Sequence, residues 1–365
     1  MLTINGRFLS QQTTGVQRYA REILTELDRL FQNNRSQSSP ALSAKIVVPA
    51  NTDVPPLYGL EVQRTAGGGL LWDQFVLPAA TQGVSLSLGN VGPLFASNHI
   101  VCIHDLNVLI APASYSRAFR SYYRIMLPLL ARTAARVVTV SHFSARMLSD
   151  FRICSPEKIT VIPDGHEHTA RWRPHNSSFA GKEAHHRPFV FMLGSRAPHK
   201  NVGILFTIAE ELDAVGLDIL VAGISSNIFS ALKTGSVPPN VRMLGFVTDY
   251  DLAALYQNAM CFAFPSLTEG FGLPALEALA LGCPIVATDA ASLPEVCGDA
   301  ALYADPRSPR AWLDQIKRLH AEPIIARNLR AKAARQVEQF SWAKSAQHYF
   351  DLIMCLSGHV AKPRN

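Results

Sequence analysis

The sequence predicts an α/β protein of two Rossmann-like domains, each a doubly wound parallel sheet, facing a central cleft. Three observations carry this expectation. The chain has 365 residues, more than one hydrophobic core normally serves, so two domains are expected. Short apolar runs alternate with longer helical patterns, as β-α-β units require. A polar, His-rich stretch from Trp172 to Pro188 follows the turn Ile162-Pro163-Asp164-Gly165 and separates two such series.

In the first series Leu2–Asn5 reads as a strand and Val16 to Phe31 as a helix, with an Asn-, Ser- and Gln-rich loop at Gln32 to Ser43. Further strands are expected at Lys45–Pro49, Ser85–Leu88, Ile100–His104 and Arg136–Val140. The second series has strands at Phe189–Leu193, Asp218–Ala222, Val241–Leu244, Met260–Phe264 and Pro284–Thr288. Its helices are Val202–Val215, Tyr250–Asn258 and Ala311–Ala321. The expected division is residues 1–165 for the first domain, 166–188 for a linker and 189–341 for the second domain. Residues 342–365, with a helix from Trp342 to Leu356, are expected to cross back onto the first domain. No internal repeat of the roughly 20–50-residue solenoid type is present.

Composition narrows the class. A hydrophobic content of 48% with 17% charged residues suits a globular enzyme with buried parallel sheets. No stretch reaches the ~20 apolar residues that span a bilayer. Met1–Asn5 lacks the basic and apolar regions of a signal peptide. Cysteines 102, 154, 261, 283, 297 and 355 form no C-x-x-C pair, so buried free thiols in a reducing cytosol are expected. The formal charge of +6 does not choose among nucleic acid, membrane and phosphorylated substrate. Its distribution says more. From Ser114 to Ser149 there are arginines at 117, 120, 124, 132, 136 and 146, interleaved with aromatic and aliphatic residues, and no acidic residue. Two readings stand: a solvated helix packed on its sheet, or contact of the Arg117–Arg136 region with an anionic membrane surface. Nucleic acid is not expected, because no nucleic-acid-binding motif accompanies the charge.

The densest chemistry lies in Pro265-Ser266-Leu267-Thr268-Glu269-Gly270-Phe271-Gly272-Leu273-Pro274-Ala275-Leu276-Glu277. The strand Met260–Phe264 precedes it, and a helix from Leu273 to Leu281 follows with Pro274 in its first turn, where a missing N–H costs little. Gly270 and Gly272 therefore sit at a strand's carboxyl end against a helix amino terminus, where open α/β sheets bind anionic ligands. Glu269 falls in the turn and Glu277 about one helical turn in. Such a pair arises by chance roughly once in a chain of this length, so the strand–Gly turn–helix context carries the weight. Two carboxylates beside a phosphate site suit a polyhydroxylated ligand that carries phosphate.

Gly194-Ser195-Arg196-Ala197-Pro198-His199-Lys200-Asn201 follows the strand Phe189–Leu193. Arg196 can grip phosphate oxygens in bidentate fashion and Lys200 adds a point charge, each charge-assisted bond contributing ~1.5–3 kcal/mol. A surface basic pair is the competing reading. In the first domain Gly15 opens a helix, where its backbone can approach a phosphate. His104-Asp105 ends the strand Ile100–His104; there a histidine can donate to a sugar hydroxyl or a leaving phosphate, or be structural with Asp105 as a cap. Asp249-Tyr250-Asp251 resembles a D-x-D metal motif but directly precedes a helix, so Asp249 is expected as its N-cap and no metal is expected. No zinc spacing, Walker A or G-x-S-x-G sequence is present.

Taken in order, these elements resemble glycosyltransferase family 4, retaining enzymes of the two-Rossmann GT-B fold, and within it bacterial mannosyltransferase-like members. The resemblance covers nearly the whole chain: Thr14-Gly15-Val16-Gln17-Arg18-Tyr19, His104-Asp105, Val140-Ser141-His142-Phe143-Ser144, Pro163-Asp164-Gly165, Arg196…Lys200-Asn201, Glu269-Gly270-Phe271-Gly272-Leu273-Pro274…Glu277 and Ser292-Leu293-Pro294-Glu295. Many relatives carry Gly-Gly where this chain has Thr14-Gly15, and Asn-Gly where it has Asp164-Gly165.

The resemblance implies catalytic roles for His104, Arg196, Lys200 and Glu269, with Arg196 and Lys200 neutralising a departing diphosphate without a metal. It implies that Glu269 meets donor-sugar hydroxyls, Glu277 the ribose diol, and Gly15, Gly270, Phe271, Gly272 and Leu273 the nucleotide sugar. The first domain would then serve the acceptor side and the second the nucleotide sugar. No cofactor is expected, since the nucleotide sugar is a substrate. The expected reaction is retaining transfer of a hexose, favouring mannose from GDP-mannose, to a polysaccharide or lipid-linked oligosaccharide. Alternatives are the same reaction with UDP-glucose or another UDP-hexose, a nucleotide-sugar 2-epimerase, and a non-catalytic sugar-binding homologue. The expected location is cytoplasmic, with the inner face of the cytoplasmic membrane as a peripheral site.

Overall fold

The computed structural model describes residues 1–35, 42–96, 98–179, 187–223 and 237–358. Residues 36–41 of the expected loop, 180–186 of the expected linker and 359–365 of the expected C-terminal region lie outside the described residues.

Two compact units emerge. The first holds Met1–Leu106, Arg117–Gly165 and the chain from Ser341 onward; the second holds Asn107–Ser116 and His166–Phe340. The segment Asn107–Ser116, expected within the first domain, thus packs with the second unit.

The first unit is built on strands β1 (Leu2–Asn5), β2 (Ala44–Pro49), β3 (Glu61–Thr65), β4 (Val84–Ser87), β5 (His99–Cys102), β6 (Arg136–Thr139) and β7 (Ile159–Val161). They form one parallel sheet in the order β3-β2-β1-β4-β5-β6-β7. The second unit contains β8 (Phe189–Leu193), β9 (Asp218–Ala222), β10 (Val241–Gly245), β11 (Cys261–Phe264), β12 (Ile285–Thr288) and β13 (Ala301–Ala304). Its parallel order is β10-β9-β8-β11-β12-β13. Both are doubly wound orders, and each reverses direction beside its first strand, at β1/β4 and β8/β11, where such sheets bind ligands.

Central strands are apolar runs buried on both faces; Val190, Met192, Val221, Cys261, Ala263 and Val286 pack with Trp312 and Ile316 in the core of the second unit. The strands absent from the sequence expectation, β3, β7 and β13, are all edge strands. Residues of β3 are mostly exposed, so no apolar run marks it.

The expected helix Val202–Val215 is two short helices, Gly203–Phe206 and Ala209–Asp213. The arginine-rich stretch is not one helix. It spans the helix Arg117–Thr133, strand β6 and the helix His142–Asp150. A further correction concerns Asp249. The N-cap of the helix Asp249–Asn258 is Thr248, whose hydroxyl accepts from the Asp251 N–H while the Asp251 carboxylate accepts from the Thr248 N–H, a capping box. The helix Trp342–Leu356 packs in the first unit against the helix Gly15–Arg35, with the Tyr19 and Tyr349 hydroxyls 2.9 Å apart and the Phe31 and Phe350 rings at 5.2 Å.

Candidate functional site

In the second unit the chain leaves β8 at Gly194 and β11 at Pro265, on either side of the sheet's switch point. Here the predicted residues Lys200 and Glu269 meet. Lys200 Nζ lies 2.6 Å from Glu269 Oε1 and 6.0 Å from the centroid of the Phe264 ring. The Glu269 side chain is only 10% exposed and that of Lys200 29%, so the pair is largely withdrawn from water and still reachable from it.

The turn carrying Glu269 is fixed from beneath. The buried hydroxyl of Ser292 lies 3.1 Å from the Glu269 carbonyl and 2.7 Å from that of Phe271. Because a trans peptide sets each N–H opposite the preceding carbonyl, the N–H groups of Gly270 and Gly272 turn away from Ser292. Phe271 sets its ring edge-on to Phe340 at 5.5 Å. Gly272 caps the helix Leu273–Ala280 at φ +103, and a Cβ there would come within 2.6 Å of Leu293 Cδ2. Only glycine fits that turn. Leu273 and Pro274 then open the helix.

Glu277 lies one turn further on and is 4% exposed. Its Oε1 is 3.0 Å from Nε2 of His168, a side chain fully out of solvent and edge-on to Trp172. His168 was not among the sequence candidates. It lies between the Pro163-Asp164-Gly165 turn and the His-rich stretch that opens at Trp172, and nothing in the sequence marks it.

Arg196 is not part of the Lys200–Glu269 ion pair. It is exposed and lines a cavity of about 650 Å³ with Asn201, Thr207 and Arg307, a cavity that neither Lys200 nor Glu269 lines.

A strap formed by Asn107–Ser116 braces the same region. Thr268 Oγ1 donates to Asn107 Oδ1 at 2.9 Å, and Ser114 Oγ lies 2.7 Å from His199 Nδ1 and accepts from the His199 N–H at 3.3 Å. Tyr115 stacks on the His199 ring at 6.2 Å, and the Leu267 N–H donates to the His199 carbonyl at 2.7 Å. Burial, reinforced by the charge of Lys200, pulls the His199 imidazole below its ordinary pKa. Ser114, His199, Leu267 and Thr268, with Ile110, Pro112 and Pro198, line an open cavity of about 330 Å³.

In the first unit, Gly15 begins the helix Gly15–Arg35, is exposed, and a Cβ on it would meet nothing within 4 Å. The fold itself gives no steric reason for glycine there. His104 is 6% exposed just beyond β5, with Nε2 2.9 Å from the Leu88 carbonyl and its N–H donating to Asn90 Oδ1 at 2.7 Å. A carbonyl only accepts, so Nε2 carries the hydrogen and the neutral ring keeps Nδ1 as an acceptor. Burial lowers the His104 pKa to about 4, against a smaller opposing effect of the Leu88 bond, so the ring is neutral near pH 7. Among the described residues, no group of three or more His, Cys, Asp or Glu side chains is placed to hold a metal ion.

Residues 175–337 match the family model for Glycosyl transferases group 1, a span that contains Lys200, Glu269 and Glu277. The chain is 27% identical over 275 residues to O-antigen chain mannosyltransferase B of Escherichia coli, covering 69% of this chain and 70% of that protein. It is 31% identical over 278 residues to the MMP alpha-(1->4)-mannosyltransferase of Mycolicibacterium hassiacum, covering 72% of this chain and 65% of the relative. Its structure is similar to that of sucrose-phosphate synthase from Thermosynechococcus elongatus, with a TM-score of 0.74 at 16% identity over 98% of this chain and 99% of the other. That likeness concerns the fold: the two parallel sheets have the GT-B architecture.

Proposed function

The chain belongs to the group 1 glycosyl transferases, and from that premise we propose that it is a retaining, metal-independent hexosyltransferase using GDP-mannose. The acceptor in this reading is a polysaccharide or a lipid-linked oligosaccharide. The observation that carries it is the Lys200–Glu269 pair at the switch point of the second sheet, a cation for phosphate beside a carboxylate for hydroxyls. Mannosyl transfer is favoured because both relatives above are named as mannosyltransferases.

On this reading Lys200 and Arg196 neutralise the diphosphate as it departs, and these cationic side chains supply the charge a metal would otherwise provide. Glu269 accepts hydrogen bonds from the sugar hydroxyls and Glu277 from the ribose diol. The N–H groups of Gly270, Phe271 and Gly272, with Leu273 at the helix start, face the phosphates or sugar. The acceptor oxygen bonds to the anomeric carbon on the face the phosphate leaves. The C–O electron pair goes to the phosphate oxygen, which takes the acceptor's proton, so configuration is retained. Gly15 keeps its approach to the phosphates; His104 keeps its place beside the sugar but, with Nε2–H taken by the Leu88 carbonyl, accepts a hydroxyl hydrogen at Nδ1 in place of the expected donation.

The helix Arg117–Thr133 supports peripheral binding to an anionic inner membrane surface from a cytoplasmic location. Arg117, Arg124 and Arg132 are exposed beside Phe119, Ile125 and Leu129, which are 43%, 62% and 40% exposed, while Leu127 and Leu130 are buried. No helix among the described residues is long and apolar enough to cross a membrane.

A panel of nucleotide sugars read by thermal shift and hydrolysis tests the reading. Stabilisation and release of GDP with GDP-mannose are expected. A response only to UDP-hexoses overturns the donor assignment, interconversion of the donor without acceptor points to an epimerase, and silence across the panel rejects the activity.

A further inference from the structure

Glu277 does not stand in its helix alone. We infer that His168 is a positioning residue for the donor: through Glu277 it sets how the ribose diol of a nucleoside diphosphate is read. The inference rests on the donor site proposed above.

His168 Nε2 lies 3.0 Å from Glu277 Oε1, with His168 fully buried and Glu277 nearly so. A carboxylate only accepts, so Nε2–H donates. The imidazole is itself held. It belongs to the short turn Glu167–Arg171, closed by the Thr169 N–H to the His166 carbonyl at 3.0 Å, with the Trp172 N–H on the Thr169 carbonyl at 3.1 Å. Trp172 meets the imidazole edge-on at 5.4 Å. Glutamate has a long, rotatable side chain, and a bond from a rigid, packed ring fixes the direction its carboxylate faces. A carboxylate accepts at about four lone-pair positions, and His168 Nε2–H takes one of them. A histidine also orients the carboxylate without the fixed full charge that a lysine would add next to the ribose.

The test is calorimetric binding of GDP and UDP, each beside its 2′-deoxy form, to the full chain and to H168F, H168Q, E277Q and H168Q/E277Q. The wild type should prefer the ribose forms. H168F should weaken ribonucleotide binding ~10-fold, the effect of losing a bond to a charged group, while the 2′-deoxy forms change far less. H168Q, which keeps an N–H donor, should recover part of the preference. In the E277Q background H168Q should add nothing, since its effect passes through Glu277. An intact ribose preference in both H168F and H168Q, or losses from H168Q and E277Q that simply add, would overturn the assignment. A wild type that binds the diphosphates without ribose preference also overturns it. A wild type that binds none of them rejects the donor site as well, which separates the two failures. Circular dichroism of each variant establishes that it is folded, and H168Q/E277Q serves where H168F is not.

Discussion

Thr268 Oγ1 donates to Asn107 Oδ1 at 2.9 Å, joining two buried side chains 161 positions apart. Thr268 directly precedes Glu269, and His199, held by Ser114 of the same strap, directly precedes Lys200. The strap thus braces both residues of the ion pair one position upstream of each.

Replacing Asn107 by Ala leaves the Thr268 hydroxyl without that acceptor in a buried place. A loss of about 1–3 kcal/mol in stability is expected, together with reduced turnover. Thr268→Val should cost a similar amount. The double variant should cost less than the sum, because both single changes break the same bond and each strands the other's partner. Denaturant unfolding of the three variants checks this, and additive losses would contradict it.

The Lys200–Glu269 pair predicts a second coupling. Lys200→Met and Glu269→Gln should each lower kcat/KM by roughly 10²–10³, as removal of a group that stabilises developing charge does. If the two act on one donor, the combined loss should fall well short of the product of the single losses. Steady-state kinetics with the preferred donor decides it. Independent, multiplicative losses would show that the Lys200–Glu269 contact does not couple the two side chains in the reaction.

Gly15 and Gly272 make opposite predictions from the same substitution. At Gly15 a Cβ meets nothing within 4 Å, so Gly15→Ala should leave stability within about 0.5 kcal/mol, while the donor KM rises if phosphate approaches there. At Gly272 the backbone has φ +103 and Leu293 Cδ2 stands 2.6 Å from the added carbon. Gly272→Ala should therefore cost about 1–3 kcal/mol whatever the ligand. Thermal unfolding beside donor kinetics separates the two cases.

What the sequence disclosed follows from which interactions are local. The central strands β8 and β9 have their expected bounds, because burial on both faces demands an unbroken apolar run. The edge strand β3 carries Glu61, Gln63 and Arg64 and leaves no such run. Lys200 and Glu269 were visible because each sits in a strand–turn–helix context whose meaning is local. His168 and Asn107 were not. Their partners lie 109 and 161 positions away, and no period or spacing records such a contact. Thr248 was readable in principle, since a threonine three residues before Asp251 is the pattern of a capping box with aspartate in place of glutamate.

Acid should weaken the first unit more than the second as pH falls from 6.5 toward 4. In the first unit burial lowers the pKa values of His99 and His104 to about 4, from an ordinary 6.5. Between those values the unfolded chain binds more protons than the native one, so stability rises with pH there. The contribution is complete above about pH 6.5 and is lost as pH falls toward 4, up to ~3 kcal/mol for each histidine. In the second unit Asp251 differs. Burial pushes its carboxyl up, but donors from Thr248, Ser177 and Ser178 outweigh that and hold it at about 2, against an ordinary 3.8. Its stabilisation is present above about pH 3.8 and is lost as pH falls through 2. His166 and His199 of the second unit are also held below their ordinary pKa by burial, less far than His99 and His104, so the first unit should loosen first on acidification. Hydrogen exchange followed from pH 7 to pH 3 should show protection falling in β4, β5 and β6 before β8 and β9. His99→Gln should flatten the dependence between pH 6.5 and 4 by about one proton, or ~1.4 kcal/mol per pH unit. An unchanged slope in that variant would show that His99 is not one of the groups titrating.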